Sequence, residues 1–236
     1  MTHFVLVHSP LVGPATWATL IPALRSRGFT VAAPDLSPPD RAERGPFWKR
    51  HAEEAATAIA AQPSGVRPVV VGHSGAGPLL PAIRDLGGRA VAAYIFVDAG
   101  LPDGRSPRKG AGAFAKRLAE RQAGGHRFPE WTDAVLRDVI PDPELRRALL
   151  AELRPQPPAF WDEIVPVFAG WPDAPCGYLR FVPNPSYDEA AAEARARGWA
   201  YREMAGGHFE MLVDPGAVAD ALISLAGELH ATVPVQ

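Results

Sequence analysis

The chain has 236 residues, of which 47% are hydrophobic and 21% are charged, close to the averages of globular proteins. This composition excludes collagen, a coiled coil and wholesale disorder, and the length fits one large domain or one domain with an insertion. Lys and Arg number 24 against 26 Asp and Glu, a formal net charge of −2, so neither nucleic acid nor an anionic membrane is predicted as a partner. The single cysteine, Cys176, excludes an internal disulfide and a cysteine-based zinc site.

The first residues contain no cationic segment, long hydrophobic region or cleavage site that would indicate a secretory signal. No window approaches the roughly 18 apolar residues that span a bilayer. We therefore expect a soluble, cytoplasmic protein with a small-molecule substrate and no membrane partner, present as a monomer or homodimer.

Short apolar strands alternate with helices in the first hundred residues. The pattern predicts strands at 4–7, 29–33, 68–71 and 91–97, and helices at 15–27, 47–61 and 75–86. The strand at 91–97 (VAAYIFV) is apolar at every position, as expected of a strand that is buried on both faces. Fold class is therefore α/β, with a mostly parallel sheet and helices on both faces.

The alternation stops after residue 100 and resumes near residue 176. Between these points the sequence shows no convincing strand, only short amphipathic stretches at 113–122, 132–140, 143–153 and 159–167. Structureless loops of this length are uncommon, so we expect residues 101–172 to form a helical cap inserted into a core made of residues 1–100 and 173–236. Strands at 178–182 and 199–204 and helices at 187–197 and 217–229 are predicted to complete the core.

The segment 69–77 (VVVGHSGAG) carries the clearest chemical signal. A buried strand runs directly into Gly72-x-Ser74-x-Ala76 and then into a helix, the context of a nucleophile elbow. The residues two before and two after the serine must be small, because the strand and the helix pack closely there. Ala76 is a mild departure from the usual glycine, and the alternative interpretation is a Gly/Ser-rich turn without chemistry.

A serine nucleophile needs a base. His208 follows the last predicted strand in Gly206-Gly207-His208 and is the candidate. The other histidines include four that we expect at the surface, His3, His51, His126 and His230.

A metal site made of His8, His73 and His208 is disfavoured, because the i, i+4 spacing of a helical metal motif is missing. His8 is expected near the site in a structural role. No metal and no cofactor are predicted.

Two carboxylates compete for the role of the acid that orients the histidine. Asp98 ends the fourth predicted strand, at the sheet edge where ligands bind in open α/β sheets. Asp188 follows the strand at 178–182, the commoner position for the acid, but lies about six residues past the strand, where the alternative interpretation is a helix cap. We favour Asp98 and keep Asp188 as the alternative.

Four motifs in order resemble those of the α/β-hydrolase superfamily, and most closely those of the small plant-type methylesterases and hydroxynitrile lyases. They are HSPLVGPATW at 8–17, GHSG at 72–75, FVDAGLP at 96–102 and GHFEMLVDP at 207–215. The resemblance covers 4–102 and 178–229. It implies an α/β-hydrolase fold with an inserted helical cap, whereas the cap itself resembles none that we can assign.

The resemblance also implies an oxyanion hole, with one departure in this chain. One donor would be the backbone N–H of Gly75, and the other maps to Pro10, which has no N–H. The Leu11 N–H or the Ser9 hydroxyl must replace it, or the reaction is not ordinary ester hydrolysis. The plant-type lyases rely on a lysine near the acid that matches no lysine here, so cyanohydrin cleavage is disfavoured.

Three functions remain open at this stage. The favoured one is a serine hydrolase, an esterase or thioesterase that acts on a small, fairly apolar substrate through Ser74, His208 and Asp98. The second is a non-hydrolytic enzyme of the same fold, a cyclase, lyase or C–C bond former. The third is a ligand receptor with a vestigial triad.

Overall fold

The computed structural model describes residues 2–36, 45–110 and 113–231, with the backbone alone at residue 113. Within these ranges six strands form one parallel sheet in the order β2-β1-β3-β4-β5-β6. The parallel sheet expected from the continuously apolar strands is therefore confirmed. In chain order the strands are β1 (His3–Val7), β2 (Thr30–Ala32), β3 (Val69–His73), β4 (Ala93–Val97), β5 (Cys176–Val182) and β6 (Ala200–Ala205).

Helices connect the strands and fill the segment between β4 and β5. They are α1 (Leu20–Ser26), α2 (Phe47–Ala60), α3 (Leu80–Gly87), α4 (Ala113–Ala123), α5 (Asp133–Leu136), α6 (Pro143–Ala151), α7 (Pro158–Trp161), α8 (Asp188–Ala196), α9 (Glu210–Val213) and α10 (Pro215–Ala231). Short 3₁₀ helices at Pro14–Trp17, Ser74–Leu79 and Pro185–Tyr187 precede α1, α3 and α8. None of the helices in the described ranges combines the length and apolar character that crossing a bilayer needs.

Successive side chains of the strands point to opposite faces of the sheet, and each face carries its own helices. On β1, Phe4 and Leu6 pack with α1 and α10, whereas Val5 and Val7 pack with α2, α3 and α8. The same alternation continues along β3, β4 and β5. Both faces are thus covered, and the carboxyl ends of the strands remain as the edge that can hold a site.

The segment 101–172 contains α4 to α7 and two isolated β-bridges, Pro107–Ile164 and Phe128–Gln156. Two of its predicted helical stretches, 132–140 and 159–167, shrink to the single turns α5 and α7. Pro141 and Pro166 follow these turns, and a proline disfavours helical backbone in the residue before it. The division into a core and a cap stays our proposal.

The expectation that His51 lies at the surface is wrong. His51 is fully buried on the inner face of α2, in register with Ala55 and Ile59 at i+4 and i+8. Apolar residues at this helical spacing are the sequence signal that indicates a buried position for His51.

Candidate active site

The carboxyl edge of the sheet has its crevice beside β1 and β3. The chain leaves β1 toward β2 on one side, and the later strands are added on the other side, so the loops after β1 and β3 diverge. Ligands of open α/β sheets bind at such switch points. The loop after β1 contains Ser9, and β3 ends directly before Ser74.

Ser74 adopts the strained backbone of a nucleophile elbow. Its φ is +57°, a region that non-glycine residues rarely occupy, and the residue is 7% exposed. The flanking residues leave no spare room: a Cβ on Gly72 would lie 3.0 Å from Leu80, and a Cβ on Gly77 would lie 2.0 Å from the Gly100 carbonyl oxygen. Close packing therefore explains these glycines, against the Leu80 side chain at Gly72 and against the Gly100 backbone at Gly77.

Asp98 occupies a second left-handed turn, at the end of β4, with φ +42°. The Tyr178 hydroxyl of β5 holds this turn, since it donates to the Ala99 carbonyl at 2.8 Å and accepts from the Ala99 N–H at 3.1 Å. The Gly100 N–H donates to the Ser74 carbonyl at 3.3 Å, which joins the turn to the elbow. Two strained turns on neighbouring strands thus hold each other in place.

His208 follows β6 and points its Nδ1 at Asp98. Its Nδ1–H donates to Asp98 Oδ2 at 2.7 Å, and Asp98 is fully buried while the His208 side chain is 21% exposed. Asn184, in the loop after β5, donates its amide to the same Asp98 oxygen and lies 3.3 Å from His208 Nδ1. A carboxylate acceptor fixes the proton on Nδ1 and leaves Nε2 able to act as a base.

His73 supports His208 from beneath. Its Nε2–H donates to the His208 carbonyl at 2.9 Å, and the two rings lie 4.4 Å apart. Trp17 packs edge-on against the His73 ring at 5.9 Å. Complete burial is the main cause that holds the pKa of His73 well below its ordinary value, and the nearby His208 lowers it further. His73 is therefore neutral near pH 7 and does not act as a general acid.

Tyr187 is a site residue that the sequence did not indicate. Its hydroxyl lies 2.8 Å from Ser74 Oγ, and its ring stacks on His208 with centroids 5.3 Å apart and planes inclined by 14°. Burial raises the pKa of Tyr187 to about 12, so the phenol stays protonated near neutral pH. Within the described residues, the Ser74 hydroxyl is thus hydrogen-bonded to the Tyr187 phenol, whose ring also covers the His208 imidazole.

Asp188, the alternative acid, lies away from this group. Its carboxylate is exposed and pairs with Arg180 at the edge of the sheet. The loop where the acid is commoner contributes Asn184 instead, whose amide contacts both Asp98 and His208.

The oxyanion candidates meet on the other side of Ser74. A Cβ placed on Gly75 would lie 3.0 Å from Ser9 Oγ and 3.7 Å from Pro10 Cδ, so these two side chains lie close to the Gly75 backbone. The Leu11 N–H donates to Ser9 Oγ at 3.4 Å. The two substitutes for the missing proline N–H are therefore coupled, because a hydroxyl that accepts from Leu11 keeps its own proton to donate.

His8 makes two hydrogen bonds to the backbone beside this loop. Its Nδ1–H donates to the Ser9 carbonyl at 2.9 Å, and its Nε2 accepts from the Leu36 N–H at 3.2 Å. Among the residues described, no group of three or more His, Cys, Asp or Glu side chains is arranged to hold a metal ion.

The segment after α6 clamps the chain after β1 at three points; we call residues 8–17 the oxyanion loop, because they include the candidate donors Ser9 and Leu11. Glu152 accepts from the Ala15 N–H at 2.7 Å, the Arg154 N–H donates to the Leu11 carbonyl at 2.9 Å, and Gln156 Nε2 donates to the Pro10 carbonyl at 2.8 Å. Gln156 is buried, so its bond to Pro10 is shielded from water. The 101–172 segment therefore fixes the position of the loop that would hold an oxyanion.

Comparison with known proteins agrees with this architecture. The model of the alpha/beta hydrolase family matches residues 4–221. The chain belongs to this family. The α/β-hydrolase fold is thereby confirmed, and the curated relatives described next confirm the resemblance to the plant esterase and hydroxynitrile lyase branch.

Curated relatives share about 30% identity over part of the chain. Polyneuridine aldehyde esterase of Rauvolfia serpentina is 31% identical over 105 residues, which cover 43% of this chain and 40% of the esterase. (S)-hydroxynitrile lyase of Manihot esculenta is 30% identical over 136 residues, which cover 56% of this chain and 49% of the lyase. The matched part thus spans about half or less of each relative.

Solved structures match over nearly the whole chain. A polyneuridine aldehyde esterase variant superposes with a TM-score of 0.74 at 21% identity, covering 95% of this chain and 98% of its own. Tomato methylketone synthase I bound to 2-tridecanone also gives 0.74, at 17% identity, covering 97% and 98%. At these identities the likeness establishes the fold, and it places esterases beside an enzyme named for a different reaction.

Proposed function

We propose that the chain is a serine hydrolase that cleaves a small ester or thioester through Ser74, His208 and Asp98. The observation that carries this proposal is the 2.7 Å bond from His208 Nδ1 to the buried Asp98, beside a serine held at φ +57°. An imidazole whose Nδ1 proton is committed to a carboxylate has Nε2 free to accept a proton.

In the first half-reaction, Ser74 Oγ attacks the substrate carbonyl as its proton passes to His208 Nε2. Asp98 stabilises the imidazolium that forms. The negative oxygen of the tetrahedral intermediate accepts from the Gly75 N–H and from the Ser9 hydroxyl, which takes the place of the N–H that Pro10 lacks. His208 then returns its proton to the leaving alcohol or thiol, and an acyl-serine remains.

In the second half-reaction, His208 Nε2 takes a proton from a water molecule that attacks the acyl-serine. The resulting intermediate collapses, the acid leaves, and Ser74 regains its proton. Tyr187 remains neutral throughout at pH 7 and shares a hydrogen bond with Ser74 Oγ. When the phenol is the donor in this bond, the serine proton is free to turn toward His208.

Active-site labelling tests the nucleophile. The wild-type protein is expected to take up one equivalent of a fluorophosphonate probe, and Ser74→Ala is expected to take up none. A panel of p-nitrophenyl esters should lose measurable turnover in the same variant. Unlabelled but folded wild-type protein, or turnover retained by Ser74→Ala, would overturn the assignment.

A second candidate is a lyase-type or other non-hydrolytic reaction in which His208 alone moves the proton. Two observations favour it: Pro10 lacks the backbone N–H that would be the second oxyanion donor, and Ser74 Oγ is hydrogen-bonded to the Tyr187 hydroxyl. The similar proteins include one named a lyase and one named a synthase, neither of which is named for hydrolysis.

Comparison of Ser74→Ala with His208→Ala on a turned-over substrate separates the two candidates. Loss in both variants supports the hydrolase. Activity retained in the serine variant and lost in the histidine variant would support the non-hydrolytic reaction. Binding without any turnover in the wild type would instead indicate the receptor.

A further inference from the structure

A buried polar cluster surrounds the ring of Phe160, between α2 and the 101–172 segment. We call Arg108, His51 and Trp161 the Phe160 cluster. The Arg108 guanidinium lies 4.4 Å over the Phe160 ring, while the rings of His51 and Trp161 lie 5.9 and 5.0 Å from it. His51 belongs to α2, Arg108 precedes α4, and Trp161 lies in α7. The cluster therefore joins α2 to the 101–172 segment.

Within the described part of the chain, these three side chains hold five buried nitrogen atoms without a hydrogen-bond partner. They are Nε and Nη2 of Arg108, both ring nitrogens of His51 and Nε1 of Trp161. Buried polar groups are nearly always paired, so their concentration around one ring calls for a ligand group. Four of the five sites are donors, counting one of the two nitrogens of a neutral imidazole.

Arg108 brings a buried positive charge, and its ion pair with Glu163 includes no hydrogen bond. Its side chain is 5% exposed, and burial lowers its pKa to about 10, which keeps it charged at neutral pH. The nearest carboxylate is Glu163, whose Oε2 lies 3.8 Å from Nε, beyond hydrogen-bond distance. Both Glu163 oxygens already accept backbone N–H groups at the start of α2, from Phe47 and Trp48.

The unpaired nitrogens of Arg108 are the two on one edge of the guanidinium. Nε and Nη2 point to the same side, and this pair binds the two oxygens of a carboxylate in a bidentate arrangement. The backbone holds the residue in place, because the Arg108 N–H donates to the Glu163 carbonyl at 3.0 Å and the Lys109 N–H donates to the Trp161 carbonyl at 3.0 Å.

The electrostatic field at His51 also favours an anion. Burial first, then the positive charges of Arg108 and Arg50, lower the pKa of His51 to about 3. The ring is therefore neutral at pH 7 and offers one N–H donor beside the guanidinium.

The Phe160 cluster is connected to the oxyanion loop by direct packing. Leu11 belongs to the same apolar group as Phe160 and Trp161, and its N–H reaches Ser9. For a substrate whose carbonyl lies at Ser9 and Gly75, Leu11 and the Phe160 ring are the apolar neighbours on the side of Arg108. Apolar walls and one polar end suit a short methylene chain that ends in a charged group.

We propose that Arg108, with His51 beside it, binds a carboxylate of the substrate, so that the preferred substrate is a half-ester or half-thioester of a dicarboxylic acid. The inference rests on the proposed hydrolase and adds its substrate class. The competing explanation is a structural cation that packs on Phe160 and serves only to hold α7 in place.

The kinetic test compares monomethyl esters of the C4 to C8 dicarboxylic acids with the corresponding dimethyl esters. The wild type is expected to prefer a monoester of one chain length. Arg108→Gln should raise KM for that monoester at least tenfold and change KM for its diester less than twofold. The control Lys109→Gln removes a neighbouring charge that is half exposed and paired with Asp162, and should alter neither.

A binding measurement keeps this test independent of catalysis. Calorimetric titration of the preferred monoester into Ser74→Ala should show binding that Arg108→Gln weakens at least tenfold, and Arg108→Lys should recover only part of it because the bidentate edge is lost. Thermal melting of each variant checks the fold. If Arg108→Gln fails to fold, His51→Asn replaces it and is expected to weaken monoester binding about threefold or more.

The outcomes are separable. Equal loss for monoester and diester, or wild-type preference for the diester, would establish the structural cation and overturn the inference. Monoester binding that depends on Arg108, with no turnover in the wild type, would support the carboxylate site and refute the hydrolase.

Discussion

Exchanging the carboxylate of Asp98 with the amide of Asn184 tests the charge arrangement around His208. Both side chains contact the imidazole, Asp98 Oδ2 at 2.7 Å and Asn184 Nδ2 at 3.3 Å from Nδ1. With an effective dielectric constant of about 20, a carboxylate at the first distance stabilises an imidazolium by about 6 kcal/mol, and one at the second by about 5 kcal/mol. A carboxylate at either position would thus stabilise the imidazolium, although in this chain only position 98 carries one.

Asp98→Asn surrounds Nδ1 with two amides. An amide N–H directed at Nδ1 holds the proton on Nε2, the wrong tautomer for a base, and the loss of the charge adds to this effect. We expect kcat/KM to fall about 10³- to 10⁴-fold, which corresponds to about 4–5.5 kcal/mol. Asparagine tolerates the left-handed backbone at position 98, so the turn should survive.

The double variant Asp98→Asn with Asn184→Asp moves the carboxylate across the same contact. We expect it to recover at least a hundredfold of the activity lost in Asp98→Asn. The assay is kcat/KM on a p-nitrophenyl ester, with thermal melting to check the fold. The control Asp188→Asn removes the exposed ion pair with Arg180 and should cost less than twofold. A double variant no better than Asp98→Asn, or an equal loss in Asp188→Asn, would refute the reasoning.

Two further substitutions test the groups on either side of Ser74. Tyr187→Phe keeps the ring on His208 and removes one hydrogen bond of about 0.5–1.5 kcal/mol, so fluorophosphonate labelling of Ser74 should become about two- to tenfold faster; labelling slowed more than tenfold would mean that the phenol takes part in the chemistry. Ser9→Ala removes the proposed second oxyanion donor and should lower kcat about 10²- to 10³-fold with little change in KM, whereas a loss below threefold would leave Leu11 as the donor.

The parts of the site that the sequence could predict follow the ends of strands. Ser74, Asp98 and His208 come directly after or shortly beyond β3, β4 and β6, and the carboxyl ends of parallel strands share one edge. Local apolar runs mark those ends, so the edge could be inferred before any contact was known. The bounds of the strands agree with the predicted ones to within about two residues for the same reason.

Tyr187 and Asn184 could not be predicted in this way. They lie after β5, Asn184 directly before the 3₁₀ helix Pro185–Tyr187 and Tyr187 at its end, and their contacts with Ser74 and Asp98 join residues 113 and 86 positions apart. Side-chain direction in such a connection depends on tertiary packing, which no local periodicity encodes. The short helix α9 was also missed, because four residues are too few to display a helical period.

The backbone strain of the site also shows why the two strand ends must be considered together. In the described residues, the non-glycine residues with positive φ are Ser74 and Asp98, the proposed nucleophile and the acid that orients its base. Such conformations cost about 1–3 kcal/mol each and persist only where the surroundings hold them. Here Gly77 supplies the constraint, because only a residue without a Cβ allows the elbow to lie against the Gly100 carbonyl. Gly77 therefore allows the turn at Ser74 to pack against the turn at Asp98, in addition to allowing the Ser74 turn itself to form.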